Sequence, residues 1–238
     1  MYRKRVTVFV GHFGSGKTEI ALNGALELAA SGSRVTLADL DVVKPYFRSR
    51  AGRDILSEAG VKLLAPTGAN IHADLPIIVP QIRSHLRESD HRLIMDVGGD
   101  EVGARVLGSL SDVVPFDDTN CWLVLNFRRP STPDPECALQ MVRQIEAVGR
   151  VPVSGLISNT HLMEETTPEV VLDGYRQAIE TGRLAEVPVI AVTVTEDLAA
   201  ELRDESIECP VVPMFRIVKP SFAQSLERRT TGPLFVVN

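Results

Sequence analysis

The residues with the most specific chemistry are Gly11-His12-Phe13-Gly14-Ser15-Gly16-Lys17-Thr18, which fit the pattern GxxxxGK[ST]. Glycines at these positions let the backbone curl so that successive N–H groups converge on phosphate oxygens. The spacing assigns the Lys17 ammonium to the β- and γ-phosphates of a nucleotide and the Thr18 hydroxyl to Mg²⁺. Such a loop works only between a strand and a helix, because the helix N-terminus adds partial positive charge. Both flanks are present. Arg5–Val10 is an apolar, strand-like run, and Ala21, Gly24, Ala25 and Leu28 recur at i, i+3, i+4 and i+7. Gly32 is placed to end that helix in a left-handed conformation.

Metal-dependent phosphate chemistry also needs carboxylates, and in a doubly wound sheet these belong at the C-terminal ends of strands near the loop. Two places qualify. Ala38-Asp39-Leu40-Asp41 closes a second strand, and strand alternation points Asp39 and Asp41 to the same side. Leu93-Ile94-Met95-Asp96 closes another and runs into Gly98 and Gly99, where a backbone N–H could approach a γ-phosphate. Asp96 is the expected contributor to the magnesium shell. Asp41 is expected to serve the metal or the attacking water, with Asp39 as a further metal candidate.

The elements that position these groups alternate between short β-branched runs and helix-period segments. Strands are predicted at Arg5–Val10, Arg34–Ala38, Val61–Leu64, Arg92–Met95, Cys121–Leu125, Val153–Ile157 and Pro188–Val194, with an edge strand at Val211-Val212. Their near-continuous apolar character predicts burial on both faces. A later helix is predicted from Asp134 as N-cap and Pro135 in its first turn, with Ala138, Met141, Val142, Ile145 and Val148 as its buried stripe. The expected architecture is a three-layer αβα domain over residues 1–238, built on a mostly parallel, doubly wound sheet of about seven to eight strands.

Composition narrows the class. The 238 residues are 44% hydrophobic and 24% charged, as in an ordinary globular domain, and the formal charge is −6. That balance argues against a broad nucleic-acid footprint. No run approaches the roughly 20 apolar residues of a membrane helix, and Met1-Tyr2-Arg3-Lys4-Arg5 does not open a signal peptide. A cytoplasmic protein is expected. Cys121, Cys137 and Cys209 form no CxxC pair, and all three are expected to be reduced, buried packing residues.

With the loop, the Asp39–Asp41 strand end and the Asp96–Gly99 strand end in view, the chain resembles the deviant-Walker P-loop ATPases, the group of MinD, ParA, cobyrinate amidases and the nitrogenase iron protein. The resemblance spans essentially the whole chain and implies ATP and Mg²⁺ as ligands, a homodimer across the nucleotide face, and ATP hydrolysis. It also implies that Asn159, closing the Ile157-Ser158 strand, reads the purine, with Thr195 and Glu196 flanking the base. ATP is favoured over GTP on the same ground, because no NKxD-type motif follows that strand. In two respects the chain departs from the group. His12 stands where many members carry a signature lysine, so a cross-subunit lysine is not expected. The cysteines match no cluster motif either, and no iron–sulfur cluster is expected. His12 is open to two readings, a protonated donor to phosphate or a packing residue over the loop.

Several further segments have chemistry without a settled role. Val42–Arg50 combines Lys44, Arg48 and Arg50 with Tyr46 and Phe47, suited to an anion, a partner surface or a solvated helix face. Asn70-Ile71-His72-Ala73-Asp74 reads as a loop, with His72 and Asp74 as metal or substrate candidates or simply as surface. Arg128 or Arg129 could face the nucleotide or a partner, and His161 with Glu164 and Glu165 could shape the base pocket. Three functions remain open at this level. They are an ATPase switch read by a partner protein, an ATP-dependent small-molecule kinase or ligase resembling dethiobiotin synthetase, and a non-hydrolysing nucleotide-sensing scaffold.

Overall fold

The computed structural model describes residues 1–41, 50–65, 71–88, 90–203 and 205–217, with the side chains of 50–52 and 71–78 left out. Lys44, Arg48 and the rest of 42–49 therefore lie outside the described residues, as does Asn70. The chain alternates β1 (Val6–Gly11), α1 (Lys17–Ala30), β2 (Val35–Leu40), α2 (Arg50–Glu58), β3 (Lys62–Leu64), α3 (Ile71–Arg87), β4 (Arg92–Gly98) and α4 (Glu101–Gly108). It continues with β5 (Thr119–Leu125), α5 (Pro135–Gly149), β6 (Gly155–Ser158), α6 (Pro168–Ala185), β7 (Val189–Thr195), α7 (Glu196–Glu201) and β8 (Val211–Met214).

All eight strands join one sheet in the order β3-β2-β4-β1-β5-β6-β7-β8, and every pairing is parallel. Every predicted strand is present, some longer at the C-terminal end, and Val211-Val212 does start an edge strand. Chain direction across the sheet reverses at β1, which places the crevice of a doubly wound fold at its C-terminal end.

Alternation along each strand divides the core. Val6, Val8 and Val10 face a cluster built with Leu93, Met95, Leu107, Leu123, Met141 and Ile145, while Phe9 faces one built with Ile20, Leu22, Leu37, Ile94 and Trp122. β1, β2 and β5 are buried along their whole length, as parallel strands covered on both faces must be. α1 ends as expected, with Gly32 at φ 84° and its N–H on the Ala29 carbonyl. The Asp134 side chain caps α5 by accepting the Cys137 N–H at 2.8 Å. Among the described residues no helix is long and apolar enough to cross a membrane.

Three expectations need correction. Val148 is only half-buried, and Gly149 takes its place in the interface, where Leu107 of α4 leaves no room for a longer side chain. Cys121 is buried, but Cys137 and Cys209 are half-buried, because Cys137 sits in the exposed first turn of α5 and Cys209 beside an edge strand. Ile71–Asp74 is not a loop but the first turn of α3.

Candidate functional site

The loop between β1 and α1 turns on glycines that no other residue could replace cheaply. Gly16, the N-cap of α1, has φ 91°, and a Cβ there would lie 2.1 Å from the Asn159 amide nitrogen. Gly99 meets the loop from the other side. Its N–H donates to the Gly11 carbonyl at 2.8 Å, and a Cβ would fall 2.2 Å from the Gly11 carbonyl carbon. The end of β4 is thus clamped against the start of the loop.

Three carboxylates converge on the first turn of α1. Register sets Asp39 of β2 beside Asp96 of β4, and both are buried. The Asp41 carboxylate pairs with the Lys17 ammonium at 2.6 Å, with both side chains almost wholly buried. Thr18 donates its hydroxyl to Asp96 Oδ2 at 2.6 Å, and the Asp41 N–H donates to Asp39 Oδ1 at 3.1 Å. Lys17, Thr18, Asp39, Asp41 and Asp96, drawn from three segments of sequence, therefore form one cluster.

One lysine faces three carboxylates, and the titration of the cluster reflects it. Burial alone would lower the Lys17 ammonium, but Asp96, Asp41 and Asp39 outweigh it and hold its pKa above the usual lysine value. Burial pushes Asp39 well above the ordinary carboxylate range, with the Asp96 charge adding to the effect. Asp96 rises to about 6, again chiefly through burial, although Lys17 and the Thr18 hydroxyl pull it down.

Two buried oxygens in this cluster, Asp39 Oδ2 and Asp96 Oδ1, have no hydrogen-bond partner. Unpaired buried carboxylate oxygens are costly. Here they are hard oxygen donors next to a threonine hydroxyl, a donor set that fits Mg²⁺. Thr18, Asp96 and Asp39 are the residues that would hold such an ion, and it would supply charge neutralisation to phosphate oxygens.

The far side of the loop is braced by amides. Asn159 donates Nδ2 to the Ser15 carbonyl at 2.7 Å and accepts the Thr193 hydroxyl on Oδ1 at 2.8 Å. Asn126, buried at the end of β5, donates to the carbonyls of Gly14 and His161, each at 3.3 Å. Arg129 Nε also donates to the Gly14 carbonyl, at 3.0 Å, whereas Arg128 turns away to pair with Asp173 of α6. The bracing roles of Asn126 and Thr193 were not readable from any motif. For Asn126 the available signal is a polar residue directly after an apolar strand, and for Thr193 a polar residue within one.

The remaining candidates surround this frame. His12 is half-buried, and burial sets its imidazole below the ordinary value, with Asp100 opposing and Lys17 reinforcing that shift. In this state the imidazole is neutral near pH 7. His161 is lowered to about 4 by burial, then by Arg129 and Arg216. Phe13 projects into solvent at the tip of the loop, and the Ser15 hydroxyl is buried without a partner. The side chains of His72 and Asp74 lie outside the described residues.

No protein-family model matches the sequence, and no curated protein does. Solved structures do. FtsY from Mycoplasma mycoides superposes with a TM-score of 0.50 at 19% identity, over 82% of this chain and 61% of that one. A nucleotide-binding protein from Archaeoglobus fulgidus, solved with ADP, gives 0.52 at 16% identity over 83% and 84%. The chain has the P-loop NTPase fold. FtsY from Elizabethkingia anophelis, in complex with GDP, superposes at 0.51 with 21% identity over 82% of this chain and 58% of that one. The P-loop chain described here thus spans about 60% of the length of the FtsY proteins.

Proposed function

We propose that this P-loop protein is a Mg²⁺-dependent ATPase that acts as a nucleotide-driven switch for a partner protein and works as a homodimer. The observation that carries the reading is the buried Lys17–Asp41 pair. Lys17 is the group the motif assigns to the β- and γ-phosphates, and Asp41 occupies it. A triphosphate brings several anionic oxygens to compete for that ammonium. Asp41 must then give up its partner. Hydrolysis removes the γ-phosphate and lets Asp41 return. Coupling of this kind makes nucleotide state visible to whatever reads the position of Asp41.

Asn159 is proposed to read the base, since its Nδ2 group retains a second N–H beyond the one given to Ser15. ATP is the proposed nucleotide on the strength of the deviant-Walker resemblance, which also supports the homodimer.

The test uses Asp41→Asn. Removing the competitor for Lys17 should tighten ATP binding several-fold while turnover falls. Wild-type turnover should be slow with Mg²⁺ and ATP alone, slower still with GTP, and raised by a protein fraction from a lysate. Formation of a phosphorylated or adenylated small molecule from the metabolite fraction contradicts the switch and favours a kinase or ligase. Unchanged ATP affinity in Asp41→Asn contradicts the competition on which the switch depends.

A further inference from the structure

At the opposite end of the sheet from the P-loop, His85 and Glu88, at the C-terminal end of α3 and just beyond it, meet His91, which immediately precedes β4. One donor atom from each lies within 4.8 Å of the others, and this is the metal-capable grouping among the described residues. The His85 and His91 side chains are 12% and 2% exposed, so two imidazoles are held together out of water, and Glu88 closes the group from the surface. His85 Nδ1 stands 2.9 Å from His91 Nε2 and 3.2 Å from a Glu88 carboxylate oxygen. Ligands at 2.0–2.1 Å from a tetrahedral zinc sit roughly 3.3 Å from one another, so the two donor pairs that meet at His85 Nδ1 need to open by only a few tenths of an ångström.

The surroundings are those that metal-binding histidines use. His91 Nδ1 faces the Asp90 and Glu88 carboxylates, each at 3.4 Å; with Asp90 holding Nδ1, Nε2 beside His85 is left as the ligand atom, and Glu88 would turn from Nδ1 to the metal. Asp90 is itself fixed by Arg34. The end of α3 is held in place by Arg5, whose guanidinium donates to the His85 carbonyl at 3.2 Å and the Leu86 carbonyl at 2.8 Å.

We propose that His85, Glu88 and His91 form a site for a divalent transition ion of the zinc class, with water completing the shell. It is separate from the Mg²⁺ cluster, since Asp96 is five residues along β4 from His91, roughly 16 Å at 3.3 Å per residue. Nitrogen-rich, borderline-soft donors select zinc over magnesium, which prefers the all-oxygen cluster at the P-loop. The ion joins the end of α3 to the start of β4. Without metal, Lys62 Nζ donates to His85 Nε2 at 3.0 Å, so by hydrogen-bond direction the Nδ1 proton points at His91. Metal binding at Nδ1 would shift that proton to Nε2, which could then no longer accept from the Lys62 ammonium, leaving Lys62 to turn out to solvent.

The test is a Zn²⁺ titration of the full chain, with Co²⁺ as a spectroscopic substitute. Wild type is expected to take up one Zn²⁺ with a rise in melting temperature, and the Co²⁺ form to show four- or five-coordinate visible bands without sulfur charge transfer. Glu88→Gln changes an exposed carboxylate and should fold normally while losing at least tenfold in affinity. Asp90→Asn should lose about tenfold, the lower end for an outer-shell partner. Lys62→Met should bind more tightly, and Lys17→Ala should leave Zn²⁺ stoichiometry unchanged. No uptake at micromolar Zn²⁺, sulfur charge transfer in the Co²⁺ form, or full affinity in Glu88→Gln overturns the site.

Discussion

Lys17→Ala is expected to lower ATP turnover by about 10²–10³-fold, the usual effect of removing one preorganised group that stabilises transition-state charge. It should also destabilise the nucleotide-free protein by about 3–5 kcal/mol, because it strands a buried carboxylate partner. The two effects have different causes and can be separated. The ammonium is almost fully buried and faces Asp41 at 2.6 Å, with Asp39 and Asp96 also in its field. Removing it strands three acids in a site that already has two unpaired oxygens. The double variant Lys17→Ala/Asp41→Asn should therefore regain much of the lost stability in urea denaturation and none of the turnover, a large non-additivity expected of partners in direct contact. Turnover within tenfold of wild type, or strictly additive stabilities, contradicts the assignment.

The second large effect lies in the pH dependence of stability. A carboxyl whose pKa is higher in the folded chain than in the unfolded one binds its proton more tightly when folded. Stability then falls as pH rises from the unfolded value, about 4, through the folded one. Asp96 places that loss around pH 4 to 6, and Asp39, also raised by burial, adds to it in the same direction. In EDTA, Asp39→Asn should be more stable than wild type at pH 8, by about 1–3 kcal/mol, the cost of a buried polar group without a partner. The advantage should shrink as pH falls towards 4 and level off below it, where wild-type Asp39 is protonated in both states. The new side chain can still accept the Asp41 N–H through Oδ1. Millimolar Mg²⁺ should stabilise wild type more than the variant. A variant that is less stable at pH 8, or a difference that does not change with pH, speaks against the buried acid pair.

Much of this arrangement was legible in the sequence because it depends on local rules. Apolar runs buried on both faces gave every strand, and the strand–glycine loop–helix order located the phosphate loop. Asp39, Asp41 and Asp96 could be placed at strand ends because each closes an apolar run. α3 was harder to read at its start. His72 and Asp74 are polar, and Pro76 and Pro80 each remove a helical N–H, so the pattern resembled a loop although the chain is helical from Ile71. Pairing across the sheet could not be read either. That Lys17 takes Asp41 as its partner while Thr18 takes Asp96 depends on the β3-β2-β4-β1 order. The bracing of the loop by Asn126 and Thr193, and the meeting of His85 with His91, depend on distances between segments that no spacing encodes.

The claim that joins these parts is that Mg²⁺–ATP binds at Gly11–Thr18 by taking Lys17 from Asp41. Isothermal calorimetry of wild type and Lys17→Ala, with Mg²⁺ and with EDTA, measures it directly. One ATP per chain is expected in wild type, with weaker binding in EDTA and none detectable in Lys17→Ala. Equal binding by the two proteins, or the same affinity with and without Mg²⁺, would contradict it.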